Sequence, residues 1–324
     1  MKQFFQIVFG GLTAVVVGFG VVYGSGYLWR SASPFISSVR NSSFVASAES
    51  AIMKPVDGTV ISGFKRVIRY TADQEEDLIN SAALALPYSS DGRITAIGYV
   101  LKNLTVGGSV VTELKSDVSM PIASLSKLIT AAVARKLIDP NTKITLTKES
   151  TGTYGNTAQF RIGESYRASD LYYPLLMVSS NDAAEAFAQS YGRKAFIQAM
   201  NDFVQSIGAY RTYFADPSGL SPDNVSTAND LTIILNWIRN NDPDILAITE
   251  LQTITVKTHT WVNPTHFLNW SNYIGGKNGY IPEAGLTGAA LFTVGPRKNV
   301  YAVVVLGSKA RDADVVKLLA KVRE

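Results

Sequence analysis

Strand-like segments stand at both ends of residues 93–324, and helical periodicity fills what lies between them. Residues 94–101 and 109–114 are rich in β-branched and apolar residues around a polar turn at 103–108, a hairpin pattern. Similar segments return at 253–261, 291–294 and 300–306. In the middle, Leu125, Leu128, Ile129, Ala132, Val133 and Leu137 recur at helical spacing over 123–138. Further helices are expected over 169–178, with Ser169 as cap, over 181–191 and 193–207, and from Ser226 onward. Asp216-Pro-Ser-Gly219 reads as a turn, and 311–322 as a closing helix. An isolated hairpin is marginal in water, so the early strands need the late ones as partners. The expected fold is therefore α/β of the α+β kind. Strands from both chain ends make a mainly antiparallel sheet flanked by helices, with an all-helical subdomain inserted.

The N-terminus carries a different signal. Residues 4–29 hold no charged side chain, and their only polar ones are Gln6, Thr13, Tyr23, Ser25 and Tyr27. As a helix this stretch covers the roughly 30 Å of a bilayer's hydrocarbon. Tyr23, Tyr27 and Trp29 gather at one end, as at a membrane interface. The expectation is one transmembrane signal anchor over residues 1–30, a polar tether over 31–50, a short accessory segment over 51–90 and the main domain over 91–324. A cleaved signal peptide is the competing reading, though its apolar core is normally about 7–15 residues. Gly20 and Gly24 form a G-x-x-x-G pair that either pairs helices or is simply tolerated in a span. Lys2 against Arg30 and Arg40 leaves positive-inside counting indecisive, so an extracytoplasmic placement of the main domain rests on its substrate.

Composition removes several classes of chemistry. There are no cysteines, hence no disulfide, thiolate metal site or cysteine nucleophile. The two histidines, His259 and His266, stand in no H-E-x-x-H string and read as surface or packing residues, so neither a metal nor another cofactor is expected. A net charge of +4 with scattered lysines and arginines makes nucleic acid a poor partner.

Three short strings then carry the chemistry: Ser124-Leu-Ser-Lys127, Ser179-Ser-Asn181 and Lys277-Asn-Gly279. A serine three residues before a lysine on a helix puts hydroxyl and amine on one face. Another S-x-x-K, Ser62-Gly-Phe-Lys65, has no comparable strings around it. A serine hydroxyl needs a neighbouring base to become a nucleophile. Lysine serves only when neutral, and at its ordinary pKa roughly one in 2,500 is neutral at pH 7. Bringing that pKa near 7 takes about 4–5 kcal/mol of bias, from burial and a second cation. Lys277 is the candidate cation and also attracts a substrate carboxylate. Ser179 would relay a proton to the leaving amine, and Asn181 would bond the substrate's amide.

The ordered strings resemble the serine-type D-alanyl-D-alanine carboxypeptidases, the low-molecular-mass penicillin-binding proteins of the β-lactamase/transpeptidase-like superfamily. Pro121-Ile-Ala-Ser-Leu-Ser-Lys-Leu-Ile-Thr-Ala131 and Ser179-Ser-Asn-Asp-Ala-Ala184 carry the resemblance. So do Asp216-Pro-Ser-Gly-Leu220, Ser226-Thr-Ala-Asn-Asp-Leu231 and Gly276-Lys-Asn-Gly-Tyr-Ile-Pro-Glu-Ala-Gly285. It implies that Ser124 forms an acyl-enzyme with Lys127 as its base, and that Ser179 relays the proton beside Asn181. It further implies that Lys277 binds the peptide's terminal carboxylate, with Arg311 as a second contact. The backbone N–H groups of Ser124 and Tyr280 would form the oxyanion hole. The substrate would be peptidoglycan peptides ending in D-Ala–D-Ala, β-lactams would be covalent inhibitors, and no cofactor would be needed.

Two positions depart from the family pattern. Ser180 stands where glycine is frequent, and Asn278 replaces a threonine or serine whose hydroxyl meets the substrate carboxylate. Two alternatives to a carboxypeptidase stand beside it: a DD-endopeptidase acting on crosslinks with the same residues, and a catalytically silent, membrane-tethered peptidoglycan-binding protein, which Asn278 would motivate. A β-lactamase is disfavoured because no E-x-x-L-N string follows the second motif.

Overall fold

The protein, seen in a computed structural model, is described over residues 92–105 and 107–322, and as backbone over 18–23 and 26–31. The chain divides into two units, residues 1–65 and 66–324. In the first, Gly18–Tyr23 and Gly26–Ser31 form an antiparallel ribbon with Gly20 opposite Trp29 and Val22 opposite Tyr27. These residues fall inside the stretch expected as a membrane helix, and that helix is not seen in them. Gly18, Gly20 and Gly26 weaken a helix, whereas Val21, Val22 and Tyr27 suit strands. Among the described residues no helix is long and apolar enough to cross a membrane. The expected tether beyond Ser31 and the accessory segment 51–90 lie outside the described residues.

In the second unit, five strands form one antiparallel sheet: β1 Gly98–Asn103, β2 Val110–Leu114, β3 Tyr273–Ile281, β4 Gly285–Val294 and β5 Asn299–Ser308. Their order is β3-β4-β5-β1-β2, so the last strand pairs with the first, Val303 opposite Leu101. Besides the single helical turn Lys148–Thr151, the helices are α1 Lys127–Leu137, α2 Ala168–Met177, α3 Asn181–Tyr191, α4 Arg193–Ser206, α5 Ala228–Asn241, α6 Asp244–Thr249 and α7 Arg311–Leu319. All but α7 are inserted between β2 and β3, as the periodicity implied.

Two-residue alternation divides the sheet between two cores. Ala302, Val304 and Leu306 face the inserted helices, whose central member α1 is buried from Lys127 to Ala134. Tyr301, Val303 and Val305 face Val315, Val316, Leu318 and Leu319 of α7. At roughly 1.5–3 kcal/mol per fully buried aliphatic side chain, this two-sided burial anchors the strand that joins the chain ends.

Local chemistry moves several expected boundaries. The cap of α2 is the Asp170 carboxylate, which accepts from the Arg167 N–H at 3.3 Å, and not Ser169. The segment 253–261 is two short strands, Thr253–Val256 and His259–Val262, paired by themselves around Lys257 in a left-handed conformation at φ +54°. The strand β3 went unread because Gly275, Gly276 and Gly279 dilute its pattern.

Asp314 ties both ends of this unit together. It is fully buried and accepts from the Thr95 N–H at 2.8 Å, the Thr95 hydroxyl at 2.7 Å and the Ser308 hydroxyl at 2.6 Å. Asp314→Ala leaves three donors without their acceptor and is expected to cost about 3 kcal/mol in chemical denaturation, against about 1 kcal/mol for Asp314→Asn.

Candidate active site

The first motif lies at the entry to α1. Residues Ala123–Ser126 form a 3₁₀ turn, in which positions three apart eclipse one another, and Lys127 opens the α-helix. Ser124 Oγ and Lys127 Nζ are accordingly 2.9 Å apart. Two glycines from distant segments close on this turn. A Cβ on Gly219 would lie 1.9 Å from the Ala123 carbonyl oxygen, and one on Gly279 would lie 2.8 Å from Ser124 N. Ala123 itself is left-handed at φ +51°.

Lys127 is fully buried, and three groups surround its amine: Ser124 Oγ, Asn181 Oδ1 at 2.7 Å and the Ser218 carbonyl at 2.5 Å. A neutral amine offers two N–H bonds and one lone pair. The Asn181 and Ser218 oxygens can only accept, so they take the N–H bonds and leave the lone pair to the Ser124 hydroxyl. Burial, followed by the charge of Lys277, holds Lys127 well below the ordinary lysine range, and Asp216 opposes them.

The second motif sits at the start of α3. Ser179 is held left-handed at φ +58°, a conformation costing an L-residue of order 1–3 kcal/mol, and its buried Oγ has no hydrogen-bond partner among the described residues. Ser180 caps α3 by accepting from the Ala183 N–H at 3.1 Å, which gives this serine in place of glycine a structural reason. Asn181 is clamped: its Oδ1 accepts from Lys127, and its Nδ2 donates to the Tyr154 carbonyl at 2.7 Å. One amide N–H remains for a substrate, a narrower role than the sequence suggested.

The third motif lies on β3, an edge strand of the sheet. The Gly276 N–H turns away from β4 to bond Thr249 Oγ1 at 3.0 Å. By two-residue alternation the Asn278 and Tyr280 N–H groups also face the free edge. Lys277 is buried and donates to the Asn278 carbonyl at 2.8 Å. Burial first and Arg311 second pull its pKa down to about 7. The Asn278 carboxamide makes no hydrogen bond among the described residues and is half-buried. Arg311 reaches the site across Gly288, the cross-strand neighbour of Asn278, where a Cβ would lie 2.8 Å from Arg311 Cδ. Asp312 holds the guanidinium, with Nε 2.7 Å from Oδ1.

A supporting turn was legible only as a turn. Asp216 Oδ1 accepts from the N–H groups of Ser218 and Gly219, both at 2.6 Å, and Oδ2 from Ser221 N–H at 2.5 Å. Asn224 Nδ2 joins the Asp216 carbonyl to Ser126 Oγ, each at 2.9 Å. This network aims the Ser218 carbonyl at Lys127, a role no side-chain motif could reveal. Of the two histidines, His259 packs among Phe160, Tyr166 and Trp261, and His266 pairs at 2.5 Å with Asp312, the carboxylate that also holds Arg311. Among the described residues no group of three His, Asp or Glu side chains could hold a metal ion. Gly219 adopts φ +85° against the backbone of Ala123 and Ser124, so Gly219→Ala is expected to abolish covalent labelling by a fluorescent penicillin.

Known proteins resemble this chain in sequence and in fold. A D-alanyl-D-alanine endopeptidase of Escherichia coli is 37% identical over 54% of this chain and 58% of its own length. A D-alanyl-D-alanine carboxypeptidase of Mycobacterium tuberculosis is 31% identical over 61% of this chain and 70% of its own. The chain thus spans little more than half the length of the Escherichia coli relative, and 53% of a Pseudomonas aeruginosa endopeptidase that is 33% identical. The solved structure of a D-alanyl-D-alanine carboxypeptidase from Mycobacterium tuberculosis superposes with a TM-score of 0.64 at 26% identity, over 70% of this chain and 90% of that one. A Listeria monocytogenes penicillin-binding protein solved with cefotaxime bound gives 0.63 at 26% identity, over 71% and 97%. The fold is that of the penicillin-binding, transpeptidase-like proteins. The family model described as D-alanyl-D-alanine carboxypeptidase matches residues 87–309, and the chain belongs to that family, peptidase S11.

Proposed function

We propose that this domain is a serine-type D-Ala–D-Ala carboxypeptidase, removing the terminal D-alanine of peptidoglycan stem peptides through an acyl-Ser124 intermediate. The observation that carries the reading is the buried Lys127 amine, whose only group able to donate to its lone pair is the Ser124 hydroxyl. A peptide laid along the free edge of β3 as an added strand brings its scissile carbonyl to the Ser124 turn. The Ser124 and Tyr280 N–H groups receive the oxyanion as Ser124 Oγ attacks and Lys127 takes its proton. Ser179, whose Oγ is unpartnered, passes a proton to the departing D-alanine amine. Water then attacks the acyl carbonyl and frees the serine. Lys277 and Arg311 supply two cations for the terminal carboxylate, and the unbonded Asn278 carboxamide supplies a donor in place of a hydroxyl. β-Lactams, which present a carboxylate beside a strained amide, acylate the same serine.

A DD-endopeptidase is the second reading, favoured by the likeness to the Escherichia coli and Pseudomonas aeruginosa endopeptidases. D-Alanine release from a pentapeptide ending in D-Ala–D-Ala, compared with cleavage of a crosslinked muropeptide, separates the two. Lys127→Ala is expected to slow either reaction by about 10²–10⁴-fold. Activity surviving that change would sink the mechanism. Absence of penicillin labelling in the wild type would favour a silent binding protein.

The pH profile follows from the two lysines. Lys127 must be neutral, so kcat/KM rises from acid pH as it loses its proton. Lys277 must be charged to meet a carboxylate, so kcat/KM falls again as pH passes about 7. The bound carboxylate raises the Lys277 pKa, and the alkaline limb of kcat is therefore expected at higher pH than that of kcat/KM. Coincident limbs in a steady-state pH series would remove Lys277 from carboxylate binding.

We further propose that residues 1–30 hold the domain at the cell membrane on its extracytoplasmic side. The support is the uncharged stretch 4–29 and a peptidoglycan substrate. Within hydrocarbon such a stretch must bond its backbone in a helix, unlike the ribbon of Gly18–Tyr23 and Gly26–Ser31. Retention of the intact chain in membranes after alkaline carbonate extraction is the expected result; a soluble chain shortened at its N-terminus would show cleavage instead.

A further inference from the structure

Residues 152–164, between the short helix Lys148–Thr151 and the strand Ser165–Arg167, form a connection that the reaction above does not use. It is pinned at both ends of its arc. The far half rests on an aromatic cluster: the Phe160 ring is 5.1 Å from Tyr166 and 5.8 Å from Trp261. The Trp261 indole donates to the Ala158 carbonyl at 3.2 Å, and His259 Nε2 lies 3.1 Å from the Gln159 carbonyl. The near half is tied to the second motif. Asn181 Nδ2 donates to the Tyr154 carbonyl at 2.7 Å, and the Thr153 hydroxyl donates to Asp182 Oδ1.

Asp182 is fully buried, its Oδ2 has no hydrogen-bond partner among the described residues, and burial raises its pKa above the ordinary carboxylate value. An under-bonded buried carboxyl is costly, and the one bond it makes fixes Thr153. The next residue is Tyr154. Its ring is 85% exposed and has neither a ring contact nor a hydrogen bond among the described residues. Yet its backbone is three hydrogen bonds from the nucleophile, through Asn181 and Lys127 to Ser124. Gly155, left-handed at φ +82°, turns the chain directly after it, and its Cβ position lies 4.0 Å from Asn181 Nδ2. A large, stiff side chain is thus mounted on a fixed backbone at the Asn181 side of the cleft. Tyrosine provides contact area there at low entropic cost.

A peptide added to the edge of β3 sends alternate side chains to opposite sides. We propose that Tyr154 is a specificity-determining residue: its ring walls the subsite for the donor residue that precedes D-Ala–D-Ala and takes a long aliphatic side chain on its face. Thr153 and Asp182 are positioning residues that hold the ring in place. This rests on the acyl-transfer reading given above.

The test compares kcat/KM for D-alanine release from two donors, acetyl-norleucyl-D-Ala–D-Ala and acetyl-glycyl-D-Ala–D-Ala. The wild type is expected to favour the norleucyl donor by about 10-fold or more, the scale of a hydrophobic side-chain pocket. Tyr154→Phe keeps that ratio, whereas Tyr154→Ala brings it within about 2-fold of unity, mainly through KM. Asp182→Ala lowers the ratio while the ring is intact, and Asp182→Asn, which still offers Thr153 an acceptor, restores it. An equal ratio in wild type and Tyr154→Ala, with the wild type active, overturns this proposal alone. Release from neither donor by the wild type overturns the carboxypeptidase reading and this proposal with it.

Discussion

The Lys127 amine has no access to water and touches three oxygens, and most of the site follows from that one buried nitrogen. Charged and isolated, it would be prohibitively costly. Neutral, it is a base that needs two acceptors and one donor around it. Asn181, Ser218 and Ser124 each come from a different segment, so the lysine can be satisfied only when the helical insertion, the Asp216 turn and the nucleophile's turn are assembled together. The second cation at Lys277 acts in the same direction, lowering Lys127 through its charge while being lowered itself by burial and Arg311. The two halves of the site therefore share one electrostatic balance: whatever neutralises a charge at Lys277 also changes the base.

Strand β3 makes the corresponding contribution on the sheet side. Its glycines remove Cβ atoms that would collide with Ala289, Ala290 and the Ser124 amide, and its free edge turns alternate N–H groups outward. The same absence of side chains that lets the strand approach the nucleophile also hides it from pattern reading. Gly275, Gly276 and Gly279 look like a loop until their neighbours are known.

What could be read in advance was whatever local spacing controls. Ser124 and Lys127 meet because residues three apart eclipse in a 3₁₀ turn, and the sheet closes across the chain because a hairpin needs partners. The helix expected from Ser226 onward is present as α5, with Thr227 as its cap. Less was visible where a backbone atom does the work. The Ser218 carbonyl beside Lys127 and the Tyr154 carbonyl beside Asn181 belong to no residue type, so no motif could name them. Ser124, Lys127, Asn181 and Gly279, drawn from the three strings, do meet, and Arg311 lies against Gly288, opposite Asn278. The single strand expected over 253–261 failed because a left-handed residue, Lys257, folds it back on itself.

The pairing of β5 with β1, locked by Asp314 to Thr95, has a consequence for how the molecule comes into being. Those partners are separated by nearly the whole domain, so the sheet must wait for its last strands, while the inserted helices have local contacts enough to form early. Gly279 reaches the Ser124 turn only with the late strands. A nascent chain therefore carries Ser124 and Lys127 long before the strand that closes on them, and the candidate site is completed only after the final segment has been made. The candidate site and the finished fold arrive together.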